Sequence, residues 1–330
     1  MKGVKGGLAD LAEALYSGKD VSTTDATKAL TKRKPPKKDK VTVTGSQGEW
    51  EETAVGILAA GDDLTFAVKG DDGWQVVAGW WPSLGLDQVH AGGKKFVLII
   101  GSDARVKQGQ KISRSRGDTL QIAAVDGKGN AGIVGVPRDS WSSAGKINSA
   151  LAAGGPNGQT EAIADLTGLP VENWVITGFP GIKKFVDGLG GVTVNSPHPM
   201  PSRDIGKGKV HLDGEGAMWF ARERKSLPGG DFDRSANQQR LLIAFALTMK
   251  SLGPSKFGKL VSLLDSVTRT NVSAEDALQY AAWAFSIKKS KMITAVATGG
   301  FGMRSGQSVV ELGSEAHDLF DSFADGNLKS

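Results

Sequence analysis

The spacing of hydrophobic residues changes twice along the chain and divides it into three parts. Residues 8–16 and 23–31 have weak helical spacing, which Pro35 and Pro36 end. Residues 41–93 show short alternating runs separated by Gly- and Asp-rich turns, which predict a small antiparallel β module. After residue 93, strand-like apolar runs alternate with helical ones, which is typical of an α/β domain.

Individual elements follow from the same pattern. Strands of the β module are predicted at 41–43, 54–59, 64–68 and 74–80. Buried strands of the α/β domain are predicted at 96–100, 120–125 and 132–137, and its helices at 160–166, 182–189, 236–251, 257–265, 274–287 and 314–324. Half of the 8 tryptophans lie in the β module, namely Trp50, Trp74, Trp80 and Trp81. We interpret them as the core of a module too small to do without large rings, with a binding face as the alternative.

Charge sets the first 40 residues apart. They hold all of the net charge of +5, since the basic and acidic residues of the remainder are equal in number. Lys32, Arg33, Lys34, Lys37 and Lys38 surround the two prolines and indicate a solvated linker, with contact to a membrane surface as the alternative and no nucleic acid expected. We therefore expect a basic N-terminal arm and linker at 1–40, the Trp-rich β module at 41–93, and the ligand-binding α/β domain at 94–330.

Several functional classes are excluded. The chain has 0 cysteines, which excludes thiolate chemistry, and its 4 histidines are scattered without metal-ligand spacing. The G-x-G-x-x-G match at 127–132 joins two predicted strands and opens no helix, so it predicts a hairpin turn rather than a dinucleotide site. No apolar run approaches the ~20 residues of a membrane span, and no signal-peptide pattern is found near the start.

Arginine and aspartate cluster at the predicted strand ends. Asp103 and Arg105 follow the first strand of the α/β domain, Arg116 and Asp118 precede the second, and Arg138 ends the third. Open α/β sheets bind ligands at the carboxyl ends of their strands, so we expect these side chains to meet.

Two further groups of charged residues extend this set. Arg222 and Arg224 fall in a strand-like run, where a period of two places both guanidinium groups on one face. Asp231, Arg234 and Gln238 have the spacing of one face of a helix that begins near residue 230. Guanidinium groups bind phosphate oxygens bidentately, and carboxylates without histidine suit Mg²⁺. The residues indicate a pyrophosphate site, with a structural ion-pair network as the alternative.

The order of these motifs resembles the LytR-CpsA-Psr family, most closely its actinobacterial members. The resemblance covers about residues 94–326 and rests on motifs at 96–105, 116–119, 137–139, 146–150, 154–156, 212–215, 222–224, 227–234 and 238–240. It implies a central β-sheet flanked by helices, an apolar channel for a polyprenyl chain and a polar mouth for its pyrophosphate. It also implies a Mg²⁺-dependent phosphotransferase that moves a phosphoglycosyl polymer from a polyprenyl-diphosphate carrier to a peptidoglycan or other cell-wall hydroxyl.

The resemblance also implies roles for individual residues. Metal binding falls to Asp103 and Asp118. Phosphate binding falls to a wider set, which comprises Arg105, Arg116, Arg138, Arg222, Arg224, Arg234 and Gln238. The catalytic residues are expected to be Asp103, Asp118, Arg138 and Asp231.

Two departures from the family leave alternatives open. Gly117 stands where the family often has serine or alanine, and the N-terminal membrane span that usually tethers the family outside the cytoplasmic membrane is not found. The resemblance implies an extracytoplasmic, cell-wall location, with the basic arm or the β module as the anchor. One alternative is a non-catalytic glycopolymer-binding or structural protein, such as a virion protein of an actinobacterial phage tail. Another is a lipid pyrophosphatase that admits water.

Overall fold

The computed structural model describes residues 3–36 and 40–328, so Lys37 and Lys38 of the basic segment lie outside the described residues. The helices are α1 (Gly7–Ser17), α2 (Ala150–Thr167), α3 (Phe179–Leu189), α4 (Gly214–Arg222), α5 (Asp231–Leu252), α6 (Pro254–Asp265), α7 (Ala274–Ser286) and α8 (Ser314–Phe323). The first nine strands are β1 (Ser22–Thr23), β2 (Thr44–Trp50), β3 (Thr53–Ala60), β4 (Asp63–Gly70), β5 (Gly73–Trp81), β6 (Leu86–His90), β7 (Lys95–Ser102), β8 (Gly117–Val125) and β9 (Ala131–Gly135). The remaining strands are β10 (Trp141–Ser142), β11 (Gly145–Lys146), β12 (Asn173–Gly178), β13 (Val192–Ser196), β14 (Gly208–Leu212), β15 (Arg269–Thr270), β16 (Met292–Val296), β17 (Gly299–Arg304) and β18 (Gln307–Leu312).

The described residues form two compact units. The first contains the residues up to Gly93 together with 246–266 and 272–287, and the second contains 94–245, 267–271 and the residues from 288 onward. The boundary after Gly93 coincides with the one that the sequence predicts. The sequence analysis assigns α6 and α7 to the α/β domain, whereas in the structure they belong to the first unit.

The first unit is built on a six-stranded sheet with the order β1-β5-β4-β3-β2, in which β6 also pairs with β5. Pairing is antiparallel except between β1 and β5. The first long strand begins at Thr44, later than the predicted Val41. Strand β2 and helix α6 approach each other through glycine, since a Cβ at Gly48 would lie 2.1 Å from the Gly258 carbonyl oxygen.

The residues predicted as a solvated arm and linker, 1–40, are folded where the structure describes them. Helix α1 buries Leu8, Leu11 and Leu15, which share one helical face, in the core of the first unit. The Arg33 guanidinium donates hydrogen bonds to the carbonyls of Leu15 and Leu30, at 2.9 Å each, so it holds the backbone rather than facing solvent. The segment is therefore folded, because even weak helical spacing supplies an apolar face when a sheet is present to cover it.

Two of the four clustered tryptophans lie in the core, as the sequence predicts. Trp81 is fully buried and donates from Nε1 to Thr65 Oγ1 at 2.8 Å. Trp50 is buried and donates to the Val272 carbonyl at 2.9 Å. Trp74 and Trp80 are half-buried.

The second unit is built on a six-stranded sheet with the order β15-β12-β7-β8-β9-β16. Strands β7, β8 and β9 form an antiparallel meander, while β12 runs parallel to β7 and β16 parallel to β9. The residues at 127–132 join β8 to β9 as the predicted hairpin turn. Sheet residues such as Leu98 and Ile122 pack with Ile163 of α2 and Phe320 of α8 in one apolar core. The mixed α/β architecture that the sequence predicts is confirmed.

Among the helices of the described residues, none combines the length and the apolar character needed to cross a membrane.

Candidate active site

The antiparallel meander brings three of the predicted residues to one edge of the sheet. Ser102 at the end of β7 pairs with Gly117 at the start of β8. Asp103 and Asp118, the residues that come next in the chain, therefore lie at the same edge of the sheet. Strand β9 returns beside β8, and the backbone continues this pairing through Val136, whose N–H donates to the Leu120 carbonyl at 2.9 Å. Arg138, two residues later, therefore reaches Asp118.

Asp103 is held by the loop that precedes β8. Its Oδ1 accepts hydrogen bonds from Ser115 Oγ at 2.6 Å and from the Arg116 backbone N–H at 2.9 Å. The Asp103 backbone N–H donates in return to the Arg116 carbonyl at 3.1 Å. The carboxylate is thereby fixed through one oxygen, which leaves Oδ2 for a ligand.

Asp118 forms an ion pair with Arg138, between Oδ2 and Nη1. Both side chains are about a fifth exposed, and Asp118 Oδ1 is buried with no hydrogen-bond partner in the described part of the chain. Burial raises the pKa of the Asp118 carboxyl, the Arg138 charge lowers it, and the nearby Asp103 charge raises it further. A buried carboxylate oxygen without a donor is costly, so this atom points to a missing positive partner.

The first turn of α5 supplies a second arginine. Arg234 is only 6% exposed, and its Nη2 lies 2.9 Å from Asp231 Oδ1 and 3.0 Å from Oδ2. Burial lowers the pKa of Arg234, which the Asp231 charge opposes, and the charges of Arg138 and Asp118 also act on it. Within the described residues the Nε groups of Arg234 and Arg138 are buried and make no hydrogen bond. Two guanidinium groups of the cluster thus have an Nε donor without a hydrogen bond, although Arg138 Nε lies 3.8 Å from Asp139 Oδ2.

Buried amides link α5 to the sheet beneath this cluster. Gln121 of β8 donates from Nε2 to Ser235 Oγ at 2.9 Å and to Gln238 Oε1 at 3.2 Å. Gln238 donates in turn to the Ala221 carbonyl at the end of α4, at 3.1 Å. The structure therefore gives Gln238 internal partners, and it adds Gln121 and Ser235, which the sequence analysis does not single out. The sequence feature that could have indicated Gln121 is a glutamine within a predicted buried strand.

The run that contains Arg222 and Arg224 is not a strand, contrary to the prediction. Asp213 caps α4 by accepting from the Gly216 N–H at 2.7 Å, and the helix buries Ala217, Phe220 and Ala221 before it ends at Arg222. The helical period, set by these apolar residues, therefore decides where the two arginines lie.

The two arginines lie in different surroundings. The Arg222 guanidinium is 4.3 Å from the centre of the Phe179 ring and 5.1 Å from that of Trp219. Arg224 is exposed and lines a cavity of about 300 Å³ next to Asp231.

Arg105 and Arg116 lie apart from the cluster. Both side chains are exposed, and only their backbones take part, with Arg105 N–H donating to Gln110 Oε1 at 2.9 Å. The structure thus gathers Asp103, Asp118, Arg138, Asp231 and Arg234 of the predicted site and leaves these two guanidinium groups in solvent.

The carboxylates do not form a self-contained metal centre. In residues 3–36 and 40–328 no three His, Asp or Glu side chains converge as ligands of one ion. Mg²⁺ in phosphate enzymes is held by one or two carboxylates, with phosphate oxygens and water completing the shell. Asp118 Oδ1 and Asp103 Oδ2 match that smaller requirement.

Buried arginines and carboxylates at the edge of an α/β sheet define a site of the kind that binds phosphate groups. The family model for LytR_cpsA_psr matches residues 81–318, so the chain belongs to the LytR-CpsA-Psr family, as its motifs predict. The match begins inside β5 and includes α6 and α7, which pack in the first unit.

Curated relatives agree with this assignment, and solved structures share the fold. The chain is 31% identical over 192 residues to the polyisoprenyl-teichoic acid–peptidoglycan teichoic acid transferase TagU of Bacillus subtilis, covering 54% of this chain and 60% of TagU. It is 28% identical to TagV of the same species, covering 55% of this chain and 51% of TagV. The crystal structure of B. subtilis TagV matches with a TM-score of 0.62 at 22% identity, over 72% of this chain and 99% of that one. A structure of TagT bound to LI-WTA matches with a TM-score of 0.59 at 22% identity, over 71% and 91% of the two chains. The solved structures support the fold.

Proposed function

We propose that the protein is a phosphotransferase that moves a phosphoglycosyl polymer from a polyprenyl-diphosphate carrier to a hydroxyl of peptidoglycan. The observation that carries this proposal is the charged cluster around Asp118, which pairs with Arg138 and lies within the influence of the Arg234 charge, and in which Asp118 Oδ1, Arg138 Nε and Arg234 Nε are buried with no hydrogen-bond partner in the described residues. Two guanidinium donors and one carboxylate oxygen are what a diphosphate with a divalent cation requires. The names of the relatives TagU and TagV, which describe such transfers, support the same reaction class.

The chemistry assigns each group a task. The acceptor hydroxyl oxygen bonds to the phosphorus that carries the glycan and loses its proton to solvent, and the bond from that phosphorus to the bridging oxygen breaks, which releases polyprenyl monophosphate. Arg138 and Arg234 bind the phosphate oxygens and neutralise the charge that develops on them. Both guanidinium groups are already fixed, by Asp118 and Asp231 respectively, so little reorganisation is needed when the diphosphate binds.

Asp103 and Asp118 are the residues proposed to hold Mg²⁺. When bound, the ion supplies positive charge to the diphosphate and its leaving oxygen. Asp118 must be ionised for this task, and the Arg138 charge favours the ionised form against the effect of burial. The Ser115 and Arg116 hydrogen bonds fix Asp103 in one orientation.

The test uses a polyprenyl-diphosphate N-acetylhexosamine donor and the full chain, with and without Mg²⁺ and soluble peptidoglycan. We expect polyprenyl monophosphate to appear together with glycan-linked peptidoglycan. Polyprenyl monophosphate formed equally without peptidoglycan would assign the protein as a lipid pyrophosphatase. Donor bound but unchanged in native mass spectra would assign it as a binding protein.

A further inference from the structure

The cavity next to Arg224 is bounded by a hairpin that the phosphate cluster does not use. The hairpin β17–β18 covers residues Gly299–Leu312, and the cavity of about 300 Å³ is lined by Phe301 and by Ser308 to Val310 of this hairpin. The opposite wall comes from the region of the site, with Arg224, Asp139 and Asp231. The cavity therefore continues from the charged cluster to an aromatic side chain.

The hairpin is fixed to the strand end that carries Arg138. The Val310 N–H donates to the Asp139 carbonyl at 2.9 Å, and Ser140 forms an isolated parallel bridge with Val310. The Asp139 carboxylate is itself held by Lys146 Nζ at 3.0 Å. The wall of the cavity thus keeps a defined position relative to Arg138.

Phe301 is a large apolar side chain left in solvent. It is 75% exposed and contacts Phe232 through a tilted ring pair with a centroid separation of 6.0 Å. An exposed aromatic ring at the rim of a polar cavity suits a ligand that has both an apolar face and hydroxyl groups.

We propose that this cavity is a saccharide subsite that holds one pyranose ring next to the transferred phosphate. The ring of Phe301 packs on the C–H face of the sugar, while Asp139, Asp231 and Arg224 make charge-assisted hydrogen bonds to its hydroxyl groups. The proposal deepens the proposed function and rests on it for the identity of the ring. That ring belongs either to the donor glycan or to the acceptor glycan, and the two share this chemistry.

The test compares Phe301→Ala with Met303→Ala in the full chain. Met303 is the matched control because it lies on the same strand and is 67% exposed, but it does not line the cavity. The probes are N-acetylglucosamine 1-phosphate for the donor ring and an uncharged peptidoglycan disaccharide for the acceptor ring, with binding measured by saturation-transfer NMR. We expect Phe301→Ala to weaken one or both probes at least about fivefold, as truncation of an aromatic contact residue does. Phe301→Tyr keeps the ring and should keep wild-type binding.

The pattern of losses identifies the source of the sugar. A loss confined to the disaccharide assigns the acceptor ring, a loss confined to the sugar phosphate assigns the donor ring, and a loss of both assigns a subsite that accepts either ring. Equal binding by wild type and Phe301→Ala, or no binding of either probe to the wild type, overturns the subsite. Binding that depends on Phe301 in a protein that transfers nothing would instead uphold the subsite and overturn the proposed function.

Discussion

Asp118 of β8 pairs with Arg138, which follows β9, while Asp118 Oδ1 and Arg138 Nε are both buried without a hydrogen bond in the described residues. An unpartnered buried polar group costs about 1–3 kcal/mol, so a ligand that supplies partners for these two atoms would stabilise the pair. We therefore propose that the pair is organised towards a ligand that brings both negative oxygens and a positive ion.

Asp118→Asn tests the carboxylate at constant shape. We expect transfer from the lipid donor to fall by a factor of about 100 or more, because the neutral amide would bind the proposed Mg²⁺ more weakly than a carboxylate and leaves Arg138 without its charge partner. Glu161→Gln is the control, since Glu161 is exposed on α2 and the change removes the same charge. Release of polyprenyl monophosphate measures both. Turnover within threefold of wild type in Asp118→Asn would remove Asp118 from the reaction.

The pH dependence follows from the raised pKa of Asp118. Activity requires the ionised form, so its acid limb should lie above the ordinary carboxyl pKa of 3.8. Arg138→Gln removes the charge that lowers this pKa, so the acid limb of its residual activity should move to higher pH. The profile of kcat/KM against pH measures both. An acid limb at the same pH in wild type and Arg138→Gln would contradict the coupling.

The raised pKa of Asp118 also predicts how the free energy of unfolding changes with pH. Because burial raises the folded-state pKa above the unfolded one, the folded protein binds the proton more tightly, and this contribution is complete at pH values below the ordinary 3.8. It is lost as the pH rises through the raised pKa. The Tm of wild type relative to Asp118→Asn should therefore fall as the pH rises over that interval. Thermal unfolding at several pH values measures this difference, and a difference that grows with pH would contradict the raised pKa.

Much of the site could be predicted from the sequence because strand ends and helix faces are local patterns. The positions of Asp103, Asp118 and Arg138 follow from three apolar runs, and Asp231 with Arg234 follows from helical spacing. The strand predicted for Arg222 and Arg224 is wrong. Two residues in alternation fit a strand, but the capping residue Asp213 and the apolar face of α4 favour a helix, which ends at Arg222.

Other features depend on contacts between distant parts of the chain. The unused atoms of Arg138 and Arg234 become visible only when both side chains are placed together. The membership of α6 and α7 in the first unit also depends on non-local packing. Phe66 of β4, for instance, makes edge contacts with Phe257 and Phe285, at centroid distances of 5.6 and 5.9 Å. No local pattern of the sequence contains that association.

Arg234→Lys tests whether the planar guanidinium group of Arg234 contributes more to donor binding than its positive charge. Lysine keeps the positive charge but lacks the planar pair of N–H donors that binds phosphate oxygens bidentately, so we expect the affinity for the diphosphate donor to fall about tenfold or more. Arg269→Lys, at an exposed position of β15, is the control. Equilibrium binding of the donor measures the effect. Unchanged affinity in Arg234→Lys would assign Arg234 to the fold, as the partner of Asp231 alone.

Trp219 should act on the donor through Arg222. Two guanidinium groups contact its ring, with that of Arg203 3.4 Å from the ring centre and that of Arg222 at 5.1 Å, and its Nε1 donates to Glu215 Oε1 at 2.8 Å. Trp219→Leu removes this support, which is worth about 0.5–1 kcal/mol per cation at an exposed site. We expect KM for the donor to rise a few-fold with kcat nearly unchanged, since Arg222 remains present but less ordered.

Arg203→Gln separates the two cation contacts of the Trp219 ring. It removes the Arg203 cation and leaves the contact between Trp219 and Arg222, so its KM should stay near that of wild type. If Trp219→Leu lowered kcat while leaving KM unchanged, the stack would act on the chemical step rather than on binding.

The N-terminal segment offers a test of stability independent of catalysis. Leu15 is fully buried in the core of the first unit, so Leu15→Ala should lower the free energy of unfolding by about 2–5 kcal/mol through lost burial and a cavity. Glu13→Gln on the same helix is the control, because the Glu13 side chain is 59% exposed and its pair with Lys19 is a surface contact that contributes little to stability. Denaturant unfolding measures both variants. If Leu15→Ala were as stable as Glu13→Gln, α1 would not contribute to the core of the first unit. The N-terminal segment would then be a peripheral arm, as the sequence predicts.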